Sequence, residues 1–584
     1  MGTFDPVLLI GLAVLGCGIA SRWGKRRWGR SARPVPDRWI DGAIALALVG
    51  VGMAMATGIV HHLNPRWLPI GQDWREFVIF ALDIQTGGDL QPVPQRYPLY
   101  PWLAIQLAEL QGFPAHLGLM QLNVLAAGLL PSALYLLGVQ MAPRAVAVAG
   151  GVLALHIPTV VAVLGPPTDY LLHSLIYVWV LTAGCWALLR GGWARFLAWG
   201  VALALLMAVT MKSLPVLLVA TPLAIAALVM AVRRGHRSGG VAIIAWLLPM
   251  VLIWQVYAGM QRWVQDAYTL DYNVYRTQVV VARSTGRTTT FPSDLGWHPS
   301  DEKKMGYWGV GRDTAFTHLP ETLRFLARGP AHNLPAPIRL RSANEGLAKA
   351  VHLGHPAWLV LGLLGILATG SRRPLHDGTG ASGRLLALAW VGGITLIHFL
   401  GLMSTLYIPR YALVLLIPLP LMLLSGGAWL FGRGHPGRWW LLVPAVAAVM
   451  ALAPTPPGFD ALGPSGTPEA KELALNPHVD FWDWRDGLTS EDVVVDLTGN
   501  RIVADLVAPS GAQVIAVRDE DSAMRLDPHI GGRRFIVEPG CLNMGDMNRR
   551  WEPLAEDPDR YRSVRRALLE DTTPDRPLSV SRQP

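Results

Sequence analysis

Long apolar blocks recur along most of this sequence. A helix of about 20 apolar residues spans a hydrocarbon core of roughly 30 Å, and most of the blocks reach about 15–24 residues. The predicted spans lie at residues 6–21, 39–60, 118–138, 145–163, 171–189, 196–211, 213–231, 241–260, 356–370, 385–403, 407–430 and 439–454. The pattern predicts a polytopic α-helical membrane protein with about twelve transmembrane helices.

Composition supports a membrane protein and excludes other classes. Of the 584 residues, 52% are hydrophobic and only 16% are charged, whereas soluble proteins are about a quarter charged. The net charge of +9 does not indicate nucleic-acid binding, because the basic residues lie in short loops between apolar blocks. The three cysteines are too few and too scattered for a disulfide framework or a zinc site.

The basic loops predict how the chain crosses the membrane. They are the segments 22–33, 190–195, 233–237, 371–378 and 432–438, and the short loop that ends at Arg144. Each of them follows an odd-numbered span, and an excess of Lys and Arg marks cytoplasmic loops. Both termini and three long segments are therefore predicted to be extracytoplasmic, the segments being 61–117, 261–355 and 455–584.

The two ends of the chain differ from the membrane module predicted at residues 39–454. At the N-terminus an apolar run precedes a basic cluster, which is the reverse of a signal peptide. Residues 1–38 are therefore predicted to be an uncleaved transmembrane helix and a basic cytoplasmic loop. The tail 455–584 begins with a linker rich in Pro and Gly. Short β-like runs at 492–497, 513–519 and 534–539 then predict a small soluble α/β domain.

The first outer segment contains a predicted helix with an acidic start. In "DWREFVIFALDIQTGGD" the apolar residues at i, i+3, i+4 and i+7 form one helical face: Phe77, Phe80, Ala81 and Ile84. Asp73 and Glu76 project from neighbouring positions at its beginning. We predict a short helix on the outer membrane surface with its acidic end at the mouth of the bundle. The alternative is that Asp73 only caps the helix, since Asp is a good N-cap residue.

The stretch "RYPLYPW" (96–102) follows this helix. Its two prolines exclude a continuous helix ahead of Trp102. The guanidinium group of Arg96 is a planar fork of donors that suits a phosphate. The aromatic residues favour the membrane–water boundary; they are Tyr97, Tyr100 and Trp102. The combination suits a site for a lipid with a phosphate headgroup, and the alternative is an aromatic belt with a snorkelling arginine.

Three more ionisable residues lie at the predicted outer ends of spans. Asp169 precedes the fifth span, Lys212 lies between the sixth and seventh, and Arg410 opens the eleventh. Charged groups at membrane spans are costly unless they have a function. With Asp73 and Arg96, these residues are predicted to converge on one face of the membrane.

The order of these motifs resembles the GT-C superfamily of membrane glycosyltransferases, in particular the protein O-mannosyltransferase and aminoarabinose-transferase group. The matching elements are Asp73, Gly88-Asp89, "RYPL" (96–99), "TDYLL" (168–172), "MKSLP" (211–215) and "PRYALVLLIPLPL" (409–421). The resemblance covers roughly residues 40–430. The chain departs from the group in its Asp-Trp-Arg-Glu spacing, where the group has adjacent acids, and in Arg96-Tyr97, where the group has Lys-Pro.

The resemblance implies a reaction and roles for these residues. The reaction is transfer of a sugar, with inversion, from a polyprenyl-phosphate donor to a protein, lipid or glycan acceptor outside a bacterial inner membrane. Asp73 would be the catalytic base, and the phosphate would be bound by Arg96, Lys212 and Arg410. The remaining acids would orient the acceptor or a divalent cation; they are Glu76, Asp89 and Asp169. Substrate contacts would come from Tyr97, Tyr100, Trp102 and Tyr411.

Three other functions stay open at the level of sequence. A secondary transporter would also carry charges in its spans, although such proteins tend to have internal repeats and broken helices. A ligase or polymerase of lipid-linked glycans would bind the same type of carrier. A non-catalytic scaffold of the cell envelope would use the tail domain and leave Arg96 and Lys212 without a role.

Overall fold

The computed structural model describes residues 37–63, 77, 81, 97, 99–113, 115–140, 142–164, 168–210, 215–233, 239–265, 381–404, 413–431, 487–496, 510–516 and 534–537. Its helices are α1 (Asp37–Leu63), α2 (Leu99–Gln111), α3 (Ala115–Gly138), α4 (Arg144–Ala154), α5 (Pro158–Leu164), α6 (Tyr170–Arg190), α7 (Trp193–Val209), α8 (Val216–Arg233), α9 (Gly239–Gln265), α10 (Ala381–Ser404), α11 (Leu413–Leu416) and α12 (Leu419–Phe431). Its strands are β1 (Val493–Asp496), β2 (Gln513–Ala516) and β3 (Arg534–Val537).

Most of the described chain is helical, as predicted for an α-helical membrane protein. Helices occupy most of the described residues of the predicted spans 39–60, 118–138, 171–189, 196–211, 213–231, 241–260 and 385–403. Among the described residues, three stretches are long and apolar enough to cross a membrane, namely Trp39–His61, His116–Gly138 and Tyr170–Arg190. The predicted spans 6–21, 356–370 and 439–454 lie outside the described residues, so the total number of spans stays a prediction.

Two predicted spans are interrupted, which corrects the prediction of single helices. The span 145–163 consists of α4 and α5, separated by Leu155–Ile157. The N–H groups of these three residues each bond to the carbonyl three residues earlier, at 3.3, 3.0 and 3.4 Å. Pro158 then starts α5, a position where its missing N–H has no cost. The described part of the span 407–430 is likewise divided between α11 and α12 at Ile417-Pro418.

The helix α2, which lies within the first predicted outer segment (61–117), also begins earlier than predicted. The prolines of "RYPLYPW" were expected to prevent a helix ahead of Trp102, but α2 begins at Leu99. Pro101 is the third residue of α2, within the first turn. The first N–H groups of a helix have no partner inside it, so a proline there removes no intrahelical hydrogen bond.

Glycines allow some helices to pack with their backbones in contact. A Cβ atom at Gly52 of α1 would overlap the carbonyl oxygen of Gly128 in α3. A Cβ atom at Gly200 of α7 would overlap the carbonyl oxygen of Trp246 in α9. Small residues at crossings are typical of membrane helices, which associate through close packing. On the outside of α9, apolar side chains such as Ile244 are exposed, as contact with lipid requires.

A polar cluster joins three helices at one end of the bundle. The Asp41 carboxylate of α1 accepts hydrogen bonds from Arg144 Nε of α4 at 2.6 Å and from the Tyr135 hydroxyl of α3 at 2.8 Å. The chain enters α1 and α4 at this end and leaves α3 there. This is the end that the basic loops predict to be cytoplasmic. The beginnings of α2, α3 and α6 therefore lie at the opposite end.

The described residues of the tail form a three-stranded parallel sheet in the order β2-β1-β3. Val493 pairs with Gln513 on one side and with Arg534 on the other. The β-like runs predicted in the sequence are thus confirmed as strands. Parallel neighbours need long crossover connections, and those segments lie outside the described residues. The small α/β domain and the domain boundaries stay predictions.

Candidate functional site

The structure describes four of the predicted site residues, Tyr97, Tyr100, Trp102 and Asp169. All four belong to the end of the bundle opposite Asp41 and Arg144. The other predicted site residues lie outside the described residues; they are Asp73, Glu76, Asp89, Arg96, Lys212, Arg410 and Tyr411. Their roles stay predictions.

Tyr100 links the beginning of α2 to α3 by hydrogen bonding. Its side chain is 1% exposed, and its hydroxyl lies 3.0 Å from the Leu119 carbonyl oxygen and 2.9 Å from Asn123 Oδ1. The Phe77 ring meets the tyrosine edge to face, with ring centroids 5.1 Å apart. The single hydroxyl proton is therefore directed towards α3. Tyr100 thereby fixes the beginning of α2 against α3.

Asp169 is the acidic residue that the structure brings close to Tyr100. Burial, and next the negative charge of Asp169, raise the pKa of Tyr100 well above its usual value. The phenol therefore remains neutral and a hydrogen-bond donor throughout the physiological range. Asp169 immediately precedes α6 and is half-buried. Its side chain forms no capping hydrogen bond to the described first turn of that helix.

Tyr97 connects the same region to the end of α7. It is 3% exposed and forms a small buried cluster with Met207 and Ala208. Tyr97 directly follows Arg96 in the sequence, and Ala208 belongs to the last turn of α7, shortly before Lys212. Tyr97 and Ala208, which lie close in the sequence to the predicted phosphate ligands Arg96 and Lys212, thus belong to one buried cluster.

Trp102 differs from the two tyrosines of its motif. It is 43% exposed, because it lies on the face of α2 opposite the buried residues Tyr100 and Ala104. An exposed indole at a helix end suits the membrane–water boundary. Of the three aromatic residues, Trp102 is placed for a lipid contact and the tyrosines for packing.

Two polar residues of this region were missed in the sequence. Asn123 is fully buried in α3 and receives the Tyr100 hydroxyl; its only signal was an amide within an apolar span. Thr168 is buried next to Asp169 in the sequence, and its signal was that threonine is a good capping residue just before a span.

The described residues contain no group of three or more His, Cys, Asp or Glu side chains suited to a metal ion.

Replacing Tyr100 with Phe is expected to reduce the free energy of unfolding by about 1–3 kcal/mol, because buried acceptors on α3 lose their donor. Tyr177→Phe is the matched control. The Tyr177 hydroxyl is buried without a hydrogen-bond partner among the described residues, so its removal should be neutral or stabilising. Thermal unfolding of both variants in detergent measures the difference. Equal stability of the two variants would contradict the anchoring role of Tyr100.

Comparisons with known proteins find that the chain is similar to two kinds of solved structure. No family model and no curated protein matches the chain. The oligosaccharyltransferase AglB from Archaeoglobus fulgidus, in complex with an inhibitory peptide and a dolichol-phosphate, is 13% identical over 82% of this chain, with a TM-score of 0.39. The chain spans 65% of the length of AglB.

The second kind is ArnT from Cupriavidus metallidurans bound to undecaprenyl phosphate. It is 14% identical over 89% of this chain and 95% of its own, with a TM-score of 0.35. The solved structures to which this chain is similar are GT-C superfamily membrane glycosyltransferases, the superfamily that the order of its motifs resembles.

Proposed function

We propose that this protein transfers a sugar, with inversion, from a polyprenyl-phosphate donor to an acceptor on the extracytoplasmic side of the membrane. The observation that carries the proposal is the buried cluster of Tyr97 with Met207 and Ala208. It supports the proposal because Tyr97 belongs to the "RYPL" motif and Ala208 lies in the last turn of α7, shortly before the "MKSLP" motif in the sequence. The effect of the Asp169 charge on the pKa of Tyr100 agrees with a position of the "TDYLL" motif at the same end of the bundle.

The proposed reaction has a balanced chemical sequence. The acceptor hydroxyl attacks the anomeric carbon of the sugar and gives its proton to Asp73. The bond between the anomeric carbon and the phosphate oxygen breaks, and the electron pair leaves with the polyprenyl phosphate. A positioned base and stabilisation of the departing anion are the two contributions such a transfer needs. Arg96, Lys212 and Arg410 supply the second.

The other predicted residues support this reaction. Glu76, Asp89 and Asp169 orient the acceptor, and these carboxylates are also the groups that would hold a divalent cation, for which oxygen ligands are suited. Tyr411 and the exposed face of Trp102 contact the substrate. The sugar donor is a membrane lipid, so it reaches the site laterally from the outer leaflet.

Native mass spectrometry with added undecaprenyl phosphate tests the phosphate site. We expect wild type to bind this lipid and Arg410→Ala to lose at least about tenfold in affinity, as expected when a charged hydrogen-bond partner is removed. Arg195→Ala is the matched control, because Arg195 belongs to the opposite end and donates to the Gly191 carbonyl oxygen at 2.6 Å. Equal binding by all three proteins would contradict the role of Arg410, and a wild type that binds none would contradict the proposed function.

A secondary transporter is the second candidate, favoured by the interrupted helices α4/α5 and α11/α12, because broken helices are typical of transporter sites. Reconstituted vesicles loaded with a labelled polyprenyl-phosphate sugar separate the candidates. A transferase releases sugar-free polyprenyl phosphate, whereas a transporter moves its substrate intact. A ligase or polymerase of lipid-linked glycans would give products longer by many units.

A further inference from the structure

We propose that the turn between α6 and α7 binds the headgroup of an anionic glycerophospholipid, at the end of the bundle that the basic loops predict to be cytoplasmic. The surface consists of Arg195 with Trp186 and Trp193, and we call it the α6–α7 lipid site. It lies at the end of the bundle opposite Tyr100 and Asp169, so it does not depend on the proposed sugar transfer. It adds a second class of lipid to the partners of the protein.

Arg195 is held in one orientation by the turn that it crosses. The chain turns between α6 and α7 at Gly191 and Gly192, whose φ angles of 63° and 94° are positive, a conformation that glycine adopts without strain. Arg195, in the first turn of α7, reaches back towards the end of α6. Its Nη1 atom donates to the Gly191 carbonyl oxygen at 2.6 Å and to the Arg190 carbonyl oxygen at 3.3 Å. A ligand therefore meets a cation that is already ordered, which reduces the entropic cost of binding.

The indole of Trp186 also contacts the guanidinium group. The Cζ atom of Arg195 lies 5.4 Å from the centre of the Trp186 ring, which is within the range of a cation–π contact. Trp186 belongs to the end of α6 and is 42% exposed, so part of its ring remains accessible. The pair thus presents a cation and an exposed aromatic surface at one point of the protein.

The guanidinium group keeps donors that no described residue uses. It has five N–H donors on three nitrogens, and its hydrogen bonds to the described part of the chain all come from Nη1. The Nε atom is buried without a partner among the described residues, whereas Nη2 is not buried. A ligand oxygen can therefore bond to Nη2 without displacing the two carbonyl oxygens.

Negative charge is scarce around this cation. Residues 170–265 contain no Asp or Glu, although they include the basic loops 190–195 and 233–237. Asp41, at the same end of the bundle, is bonded to Arg144 and Tyr135. Arg195 forms no ion pair with any acid that the structure describes. Basic sites between helices at a cytoplasmic membrane surface bind anionic headgroups, and the membrane is the nearest source of such anions.

The neighbouring side chains decide which anion fits. Trp193, the first residue of α7, is 52% exposed, and exposed indoles at helix ends favour the membrane–water boundary. An indole N–H only donates hydrogen bonds, and a glycerophospholipid offers ester carbonyl oxygens beside its phosphate. A free phosphate ion has no acyl chains to cover the two indoles. Undecaprenyl phosphate has no ester carbonyl and leaves the indole donors unpaired.

Native mass spectrometry of the whole chain with added phosphatidylglycerol tests the site. We expect wild type to bind this lipid on the order of tenfold more tightly than phosphatidylcholine, which has the same ester groups but no net charge. Arg195→Gln keeps an amide donor for the Gly191 carbonyl oxygen and removes the charge, so it should lose this preference. Arg190→Gln is the matched control. Arg190 is exposed and forms no cation–π contact with a described ring, so its substitution should change binding by no more than about threefold.

Two tryptophans of α6 give a second comparison, which leaves the cation in place. Trp179 and Trp186 lie seven residues apart on one face of the helix and are almost equally exposed, but only Trp186 contacts Arg195. Trp186→Leu should weaken phosphatidylglycerol binding by roughly twofold to fivefold, whereas Trp179→Leu should leave it unchanged. Thermal unfolding in detergent checks that the variants remain folded.

Five results would overturn the inference. Wild type binding both phospholipids equally, or equal losses in the Arg190 and Arg195 variants, would indicate diffuse attraction to basic loops. Equal losses in the two tryptophan variants would remove Trp186 from the site. Displacement of phosphatidylglycerol by an equal concentration of inorganic phosphate would indicate a site for free anions. Loss of undecaprenyl phosphate in Arg195→Ala would show that the site does not select glycerophospholipids.

The inference and the proposed function fail separately. A protein that binds phosphatidylglycerol as expected but no undecaprenyl phosphate would retain the α6–α7 lipid site and contradict the proposed function. A protein that binds undecaprenyl phosphate but shows no preference for phosphatidylglycerol would contradict this inference alone.

Discussion

Replacing Asp73 with Asn is expected to lower the rate of sugar transfer by roughly 10²–10⁴-fold, the contribution of a positioned general base. The amide is nearly isosteric with the carboxylate but cannot take the proton of the acceptor hydroxyl. Binding of undecaprenyl phosphate and the unfolding temperature should stay close to those of wild type. The rate is measured as release of polyprenyl phosphate from the donor lipid.

Glu109→Gln provides the matched control for Asp73→Asn. Glu109 is an exposed acid on α2, and its substitution removes the same charge without touching the proposed site. We expect this variant to retain wild-type turnover. If Asp73→Asn also retained turnover, Asp73 would not be the base. A joint loss of turnover and lipid binding in Asp73→Asn would instead indicate a role in binding.

Gly52→Ala is expected to be one of the most destabilising single-methyl changes in the described bundle. The new Cβ atom would overlap the backbone of Gly128, and a backbone atom cannot be relieved by a rotamer change. α1 and α3 would have to separate, and overpacking of this kind reduces the free energy of unfolding by about 1–3 kcal/mol or more.

Gly50→Ala tests the same substitution two residues away in the same helix. A Cβ atom at Gly50 would have no neighbour within 4 Å, and alanine has a higher helix propensity than glycine. The Gly50 variant should therefore be as stable as wild type or more stable. Comparing the unfolding temperatures of the two variants cancels the propensity term. A Gly52 variant as stable as the Gly50 variant would disprove the close crossing.

Apolar length was enough to predict most of the described helices. The span predicted at 39–60 corresponds to Asp37–Leu63, and the one at 171–189 corresponds to Tyr170–Arg190. The interruption before Pro158 was not predicted, because hydropathy is the same for one long helix as for two short ones. A proline excludes a helix only where it lies beyond the first turn. Pro101 lies within the first turn of α2, so it did not prevent this helix.

The sequence predicted which residues belong to the candidate site better than it predicted their contacts with one another. Asp169 was chosen for its place before a span, and its proximity to Tyr100 depends on how α2, α3 and α6 pack. Tyr100 was expected at the membrane boundary but is buried, because Asn123 of another helix receives its hydroxyl. No local pattern contains that pairing. Thr168 was passed over since its unsatisfied hydroxyl is a property of the folded chain.

The Asp41–Arg144 ion pair also has a consequence for the order of assembly. The two residues are separated by 103 positions, and a chain grows at about 5–20 residues per second during synthesis. Asp41 is therefore made some 5–20 s before its partner, and the Tyr135 hydroxyl becomes available to it first. The ion pair can form only after Arg144, the first residue of α4, has been synthesised, whereas the contact of Gly52 with Gly128 of α3 can form earlier on the growing chain.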